Sequence, residues 1–367
     1  MITGANPRFA SHAVEPKAVA AWLGESGFRP DLAMAVIERS PLRLREGQWL
    51  HWGGSLHDKA AVILRVLGRP CDTRELAVEL SGDYSEQSIR NALYSSPQIM
   101  RVGKTAVALR EWGLEEYSGI SDEIAQRIER AGGAADLDCL VTELATTFGV
   151  AGSSVRAYAG APRFVLEAGT VRLRTADEPY KACTRTDAAK GLFLDPGRGL
   201  VHLVVDVDRD TERGSGKTVS QAVATALGIA PGHSATFVGP GGGSLSMTWP
   251  VSSSIGPSIG STRSLARGAG AKIGDGLRVS FDLARREVSA QRICATTTDL
   301  GVLTGLEVSA GRELELIGSS IGCSPEMVRD VLERRGDHQL LNSLPNPRID
   351  EHLEVAMSSL TDILREP

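Results

Sequence analysis

The feature that most constrains this chain is a stretch that occurs twice. Leu56–Arg110 (LHDKAAVILRVLGRPCDTRELAVELSGDYSEQSIRNALYSSPQIMRVGKTAVALR) can be laid over Ile120–Arg174 (ISDEIAQRIERAGGAADLDCLVTELATTFGVAGSSVRAYAGAPRFVLEAGTVRLR). Each copy opens as an amphipathic helix, breaks at Gly68-Arg69-Pro70 or Gly132-Gly133, and resumes as a short second helix, RELAVEL or LDCLVTEL. A polar turn leads to a third helix, SEQSIRNALYSS or GSSVRAYAGA. Each copy then closes on a proline, an apolar-basic strand, a glycine-containing turn and a second strand, PQIMRVGKTAVAL or PRFVLEAGTVRL. Helical positions recur at i, i+3 and i+4 while the closing strands alternate, so the period switches at the same place in both copies. Ala18–Trp52 carries a third, shorter copy, with SPLRLREGQWLHW matching SPQIMRVGKTAVAL. Its first helix is missing or degenerate, as expected of a terminal repeat.

Three helices followed by a two-stranded wing is the plan of a winged helix-turn-helix. Leu64–Leu80 (LRVLGRPCDTRELAVEL), with SIRNAL and the hairpin, resembles HARE-type winged helices such as that of the RNA polymerase delta subunit. The second helix with SIR or SSVR is similar to the helix-turn-helix of sigma-factor region 4. The resemblance covers about residues 18–175 and implies tandem DNA-binding modules.

Charge is sorted within each copy. Tyr84–Arg110 holds Arg90, Arg101, Lys104 and Arg110 against Glu86, and Ala151–Arg174 holds Arg156, Arg163, Arg172 and Arg174 against Glu167. A major groove admits a helix and phosphates flank it, so polar side chains suit the third helix and cations the wing. The predicted DNA-facing residues are Ser85, Gln87, Ser88, Arg90, Asn91, Arg101 and Lys104 in one copy, and Ser153, Ser154, Arg156, Tyr158, Arg163, Arg172 and Arg174 in the next. Asp31, Glu38 and Glu46 dilute the charge of the first copy, which reads as a spacer. Tandem modules of this kind also serve as protein–protein adaptors, and a basic hairpin can be merely solvated.

Asp177–Gly199 reads as a linker delivering the strand Leu200–Val207. The following GSGKT only approaches a phosphate-binding loop, because Thr211 stands where the first glycine is required. Gly214–Thr218 therefore reads as a turn before a helix capped by Thr218 or Ser220. A second duplication is visible here: Val219–Val238 matches Thr262–Phe281, each a short helix, a glycine turn and a strand, with Ser244–Trp249 between them. These halves resemble those of a double-psi or swapped-hairpin β-barrel. Arg263, Arg267, Lys272 and Arg278 lie near a glycine- and serine-rich loop able to meet phosphates. Residues 176–297 carry a net +3, the most basic segment.

The last 70 residues carry −7 of the chain's total −5, leaving the rest at +2. Glu313–Asp337 outlines a helix-turn-helix opened by a Ser324-Pro325-Glu326 cap, with acids among its arginines, and Ile349–Leu364 outlines an amphipathic acidic helix. Both suit packing or a partner better than DNA.

The expectation is a mixed α+β, multi-domain chain: a degenerate winged helix at 1–54, winged helices at 55–117 and 118–175, a small pseudo-duplicated β-barrel at 176–297, and an acidic helical segment at 298–367. Its expected partner is double-stranded DNA, in transcription regulation or foreign-DNA recognition. RNA polymerase or another protein, or a second copy in a homodimer, would meet the acidic end. No run approaches the roughly 20 apolar residues of a membrane helix, and the N-terminus lacks a signal pattern, which points to the cytoplasm. Five scattered cysteines make no CxxC pair and suggest neither disulfides nor zinc. No catalytic signature or cofactor motif is complete. The competing reading is an enzyme, either nucleotide-using or a metal-dependent nuclease built on Asp206, Asp208, Asp210 and Lys217.

Overall fold

The computed structural model describes residues 55–80 and 84–345, together with 13–14, 21, 24–27, 29, 42–45 and 48–51. It is a mixed α+β structure with several separate sheets. The chain divides into two compact units, Met1–Ala159 with Val165–Leu173, and Gly160–Phe164 with Arg174–Pro367.

The first unit opens with β1 (Ala13–Val14), β2 (Leu42–Arg45) and β3 (Gln48–His51), in the order β1-β3-β2. The β2–β3 hairpin pairs Leu42 with His51 and Arg45 with Gln48, as the basic alternation predicts. Of the helices expected for this copy, Ala21, Gly24 and Glu25 are helical, and the rest lies outside the described residues.

Two fuller modules follow with one element order. The first comprises α1 (Leu56–Leu67), β4 (Cys71–Asp72), α2 (Thr73–Glu79), α3 (Glu86–Tyr94), β5 (Ile99–Arg101) and β6 (Ala106–Leu109). The second comprises α4 (Ile120–Arg130), β7 (Ala134–Asp136), α5 (Leu137–Phe148), α6 (Gly152–Ala159), β8 (Phe164–Glu167) and β9 (Thr170–Leu173). Their sheets run β4-β6-β5 and β7-β9-β8. The sequence repeat reappears in the ladders at an unchanged spacing of sixty-four residues. Cys71 pairs with Val107 as Ala135 pairs with Val171, and Asp72 pairs with Ala106 as Asp136 pairs with Thr170. Two local devices hold this register. Gly68 and Gly132 take left-handed backbone (φ 63° and 84°), ending the first helix of each module. Asp72 and Asp136 then cap the second helices, accepting from the amides of Arg74 and Cys139. The first module's core gathers Leu64, Leu76, Ile89, Leu93 and Val107, and Ile128, Leu140, Leu144, Val155 and Val171 are buried in the second.

The second unit holds β10 (Leu192–Asp195), β11 (Leu200–Asp206), α7 (Arg209–Arg213), β12 (Lys217–Thr218), α8 (Gln221–Ala226), β13 (Ser234–Val238), β14 (Ser244–Thr248), β15 (Ser258–Ile259), α9 (Arg263–Gly268), β16 (Gly276–Asp282) and β17 (Glu287–Ile293). They form one eight-stranded sheet, β10-β11-β16-β17-β13-β14-β15-β12. The expected closed barrel is absent among the described residues. The end strands β10 and β12 do not pair with each other, and β13 meets β17 through one parallel pair, Val238 with Glu287. A helix, α11 (Glu313–Ile321), packs against the four-residue β10.

Two ladders of this region correspond at a spacing of forty-two residues, where the sequence alignment gives forty-three. β11 pairs with β16 from Leu200↔Asp282 to Asp206↔Gly276, and β14 pairs with β13 from Ser244↔Val238 to Thr248↔Ser234. Adding the spacing to β11 gives β14, and adding it to β13 gives β16, so one ladder maps onto the other. Loop bonds repeat as well: Gly232 N donates to Trp249 O and Gly274 N to Val207 O, while Trp249 N donates to His233 O and Val207 N to Asp275 O. Lys217 lies opposite Ile259, its own counterpart. The sequence alignment of Val219 with Thr262 was one residue too long. Three glycine pairs, 214/256, 228/270 and 232/274, all take positive φ and coincide only at the shorter spacing.

α10 (Leu300–Thr304), α11, α12 (Val328–Arg335) and α13 (His338–Ser343) complete the unit. Ile317, Ile321, Val331, Leu332 and Leu340 pack with Phe193 and Ile293 of the sheet. Ser324 precedes a short 3-10 turn, Pro325–Met327, which leads into α12. The amphipathic segment at 349–364 lies outside the described residues.

Candidate nucleic-acid interface

Each third helix is held by few residues. α3 buries Ile89 and Leu93 and leaves Gln87, Ser88, Asn91 and Tyr94 exposed. α6 buries Val155 and Ala159 and leaves Ser153, Arg156 and Ala157 exposed, with Ser154 and Tyr158 half-buried. Ser85 caps α3: its Oγ accepts from the Ser88 amide at 3.1 Å and lies 2.8 Å from Ser88 Oγ. Gln87 Nε2 donates to Asn91 Oδ1 at 2.8 Å, placing two amide side chains one turn apart on the open face. Arg90 is half-buried near Asp72 and helps hold that carboxyl below its ordinary range, after the larger effect of the Thr105 hydroxyl. Arg156 makes an exposed ion pair with Asp138 (2.7 Å), a contact that contributes little in water and exchanges readily.

Several predicted cations work inside the fold instead. Arg101 is stacked between two rings, its guanidinium carbon 4.7 Å from the Tyr94 centroid and 5.0 Å from that of Tyr117. Arg174 donates to the carbonyls of Pro162 and Phe164 (2.8 Å each) and of Pro179 (3.4 Å), and lies 5.4 Å from the Tyr180 ring. Arg278 donates to Gly301 O and Val302 O at 2.6 Å and also bonds Gln291. In each case a planar guanidinium meets carbonyls or ring faces that a charge count along the sequence cannot see. Arg172 is half-buried and donates weakly to Leu173 O (3.4 Å), and Arg163 is half-buried with its guanidinium 5.8 Å from the Phe164 ring. Lys104, Arg263, Arg267 and Lys272 are exposed.

The hairpins differ more than the helices. In the first module Gly103 is buried: a Cβ there would stand 2.9 Å from the carbonyl oxygen of Phe148, at the end of α5. In the second, Glu167, Ala168 and Gly169 are exposed, with Ala168 and Gly169 at φ 46° and 81°.

In the second unit Lys217 joins part of the nuclease quartet, donating to Asp208 Oδ2 and to the Asp206 carbonyl, while the three carboxylates each pair with a different cation. Asp208 caps α7 and pairs with Lys217 (2.8 Å), which holds its carboxyl far below the usual range; Asp206 pairs with Lys190 (3.0 Å) and Asp210 with Arg213 (3.6 Å). Among the described residues no three His, Cys, Asp or Glu side chains form a metal-holding group. The helix after the GSGKT turn is capped at Ser220 without a side-chain bond, and a Cβ on Gly216 would press to 2.6 Å from Ile259 O, so that glycine serves strand packing. On the outer side of the sheet a cavity of about 700 Å³ lies among Phe193, Val204, Ile293, Leu303 and Leu340, rimmed by Lys190 and Asp206. His202, which lines a separate cavity with Arg198 and Arg278, is buried with Nδ1 2.8 Å from Ser280 Oγ, and desolvation lowers its pKa to about 4, leaving it neutral near pH 7.

No family model matches the chain, and no curated protein matches it either. No helix among the described residues is long and apolar enough to cross a membrane.

Proposed function

We propose that the chain binds duplex DNA through tandem winged-helix modules, with α3 and α6 as the helices that enter the major groove. The observation that carries this reading is the pair of third helices, each with two buried residues among its described side chains, open along a polar face, and leading directly into a hairpin. Gln87 and Asn91 offer amides of the kind that read base edges, and Ser153 with Arg156 offers a hydroxyl and an exchangeable cation. Small exposed neighbours such as Ala157 let a backbone approach closely. Phosphate contact falls to Lys104 and Arg156, with Arg263, Arg267 and Lys272 as cations of the second unit. The acidic C-terminal segment, in this reading, recruits a protein partner or a second copy.

The test is equilibrium binding to a random-sequence duplex over a salt series, with and without Mg²⁺, followed by inspection of the DNA. Binding that weakens steeply with salt is expected, and Arg156→Glu and Lys104→Glu should each weaken it and reduce the slope by about one. Absence of binding at low salt overturns the reading. Metal-dependent nicks would replace it with a nuclease.

A further inference from the structure

We infer that the first module's hairpin is a lock between the two modules, fixing the separation and angle at which α3 and α6 are presented. The observations form one continuous path. Gly103, at the hairpin tip, sits against the Phe148 carbonyl, and nothing larger than hydrogen fits without displacing backbone. Arg101, on the hairpin's first strand, is stacked between Tyr94 of α3 and Tyr117 of the connecting segment. Tyr117 is buried, donates its amide to Arg101 O at 2.8 Å, and brings its ring 5.1 Å from Phe148. Behind Phe148 the stack ends on Arg127, 5.3 Å from that ring.

The connecting segment is pinned at nearly every residue. Glu115 pairs with Arg127 and Arg130, Glu116 with Arg110, and Ser118 donates its amide and hydroxyl to Glu123, itself fully buried against Arg127 (2.7 Å). A loose tether between independent domains would show none of these ties. A hairpin buried this way is not available to lie along a phosphate backbone, so Lys104 is the one predicted residue of the turn that remains exposed. Joining two readers rigidly raises affinity for a duplex that meets both, because the ordering cost is met before binding. That last consequence rests on the DNA reading above; the lock itself does not.

The test uses the full chain and two variants, Gly103→Val and Arg101→Ala, with Arg101→Lys as the conservative control. Limited digestion by a glutamate-specific protease, read by mass spectrometry, follows cleavage after Glu115 and Glu116. The expected result is slow cleavage in the parent, at least about tenfold faster cleavage in both variants, and an intermediate rate in Arg101→Lys, whose cation lacks the planar face. Equal rates in parent and variants overturn the lock. If Gly103→Val loses its helical circular dichroism, the Arg101 pair decides the matter by the same criterion. In parallel, the ratio of affinities for a long and a very short duplex should be at least about tenfold in the parent and fall toward one in the variants. A parent that binds neither duplex overturns the DNA reading alone, since the digestion still decides the lock. A parent that binds both, with a ratio unchanged in variants whose linker is cleaved, overturns the claim that the lock serves binding.

Discussion

In the first module the hairpin tip is buried at Gly103 beneath a neighbouring carbonyl, whereas at the matching tip of the second Glu167, Ala168 and Gly169 stand in solvent. The β4–β6 and β7–β9 ladders beside these hairpins share two pairs at a spacing of sixty-four, Cys71↔Val107 with Ala135↔Val171 and Asp72↔Ala106 with Asp136↔Thr170. Topology therefore does not decide what a hairpin touches; side chains at its tip and along its edge do. Arg101 has Val165 as its counterpart, and Gly103 has Glu167. One pair of residues built for stacking and close approach is matched by a pair that can do neither. Two copies of one plan have become a joint in one case and an open edge in the other.

The comparison breaks most visibly at Phe148. Phe148→Ala removes the ring shared by the second module's core and the stack, and should cost about 3–5 kcal/mol of stability by denaturant unfolding, with the linker opening to protease. If the loss stays below about 1 kcal/mol, the stack is not a tie between modules. A smaller effect distinguishes two arginines at equivalent positions. Arg174, bonded to three carbonyls, should cost about 2 kcal/mol when replaced by alanine, while Arg110→Ala, which loses an exposed pair with Glu116, should leave the unfolding midpoint unchanged. Equal effects would show that the carbonyl staple contributes no more than a surface ion pair.

The smallest predicted difference is between the two capping aspartates. Asp72 accepts from both the Arg74 amide and the Thr105 hydroxyl, so Asp72→Ala should cost about 1 kcal/mol and Asp136→Ala less. The hydrogen bond from Thr105, then that from the Arg74 amide and the nearby arginines, hold the Asp72 carboxyl below its ordinary value of 3.8. The unfolded state therefore takes up the proton first as pH falls. Stability from this cap is complete above about pH 4 and is lost progressively as pH drops through the folded value. Unfolding midpoints measured from pH 6 downward should converge for the parent and Asp72→Ala; a constant gap would exclude the cap as the cause.

The module repeat was legible because its markers are local. A glycine that must be left-handed, an aspartate that must cap and a strand that must alternate each act within a few residues, and all recur together. The sheet duplication was found one residue out of register because strand alternation tolerates such a slip in short segments. The coincident glycines at 214/256, 228/270 and 232/274 carried the better signal. The fate of the arginines was not legible. Arg101 and Arg174 read as wing cations when counted along the chain, but their partners Tyr94, Tyr117, Pro162 and Tyr180 come together only through tertiary packing. Barrel closure failed for a similar reason, since nothing in the strands themselves reveals that β10 and β12 end the sheet without pairing.

The crossed ladders of the second unit also set an order of events during synthesis. Strand β11 ends at Asp206, yet its partner begins only at Gly276 and runs to Asp282. At roughly 5–20 residues per second of translation, Leu200 waits about 4–16 seconds for Asp282 to be made. Throughout that interval the hydrogen-bonding edge of β11 that faces β16 lacks its partner strand, and β10 alone pairs with β11. The first unit, whose modules close on themselves within one repeat, has no such delay. A nascent chain stalled near residue 250 would therefore carry a finished front half and a sticky, half-built sheet, which makes that point in translation the one where a chaperone has most to protect.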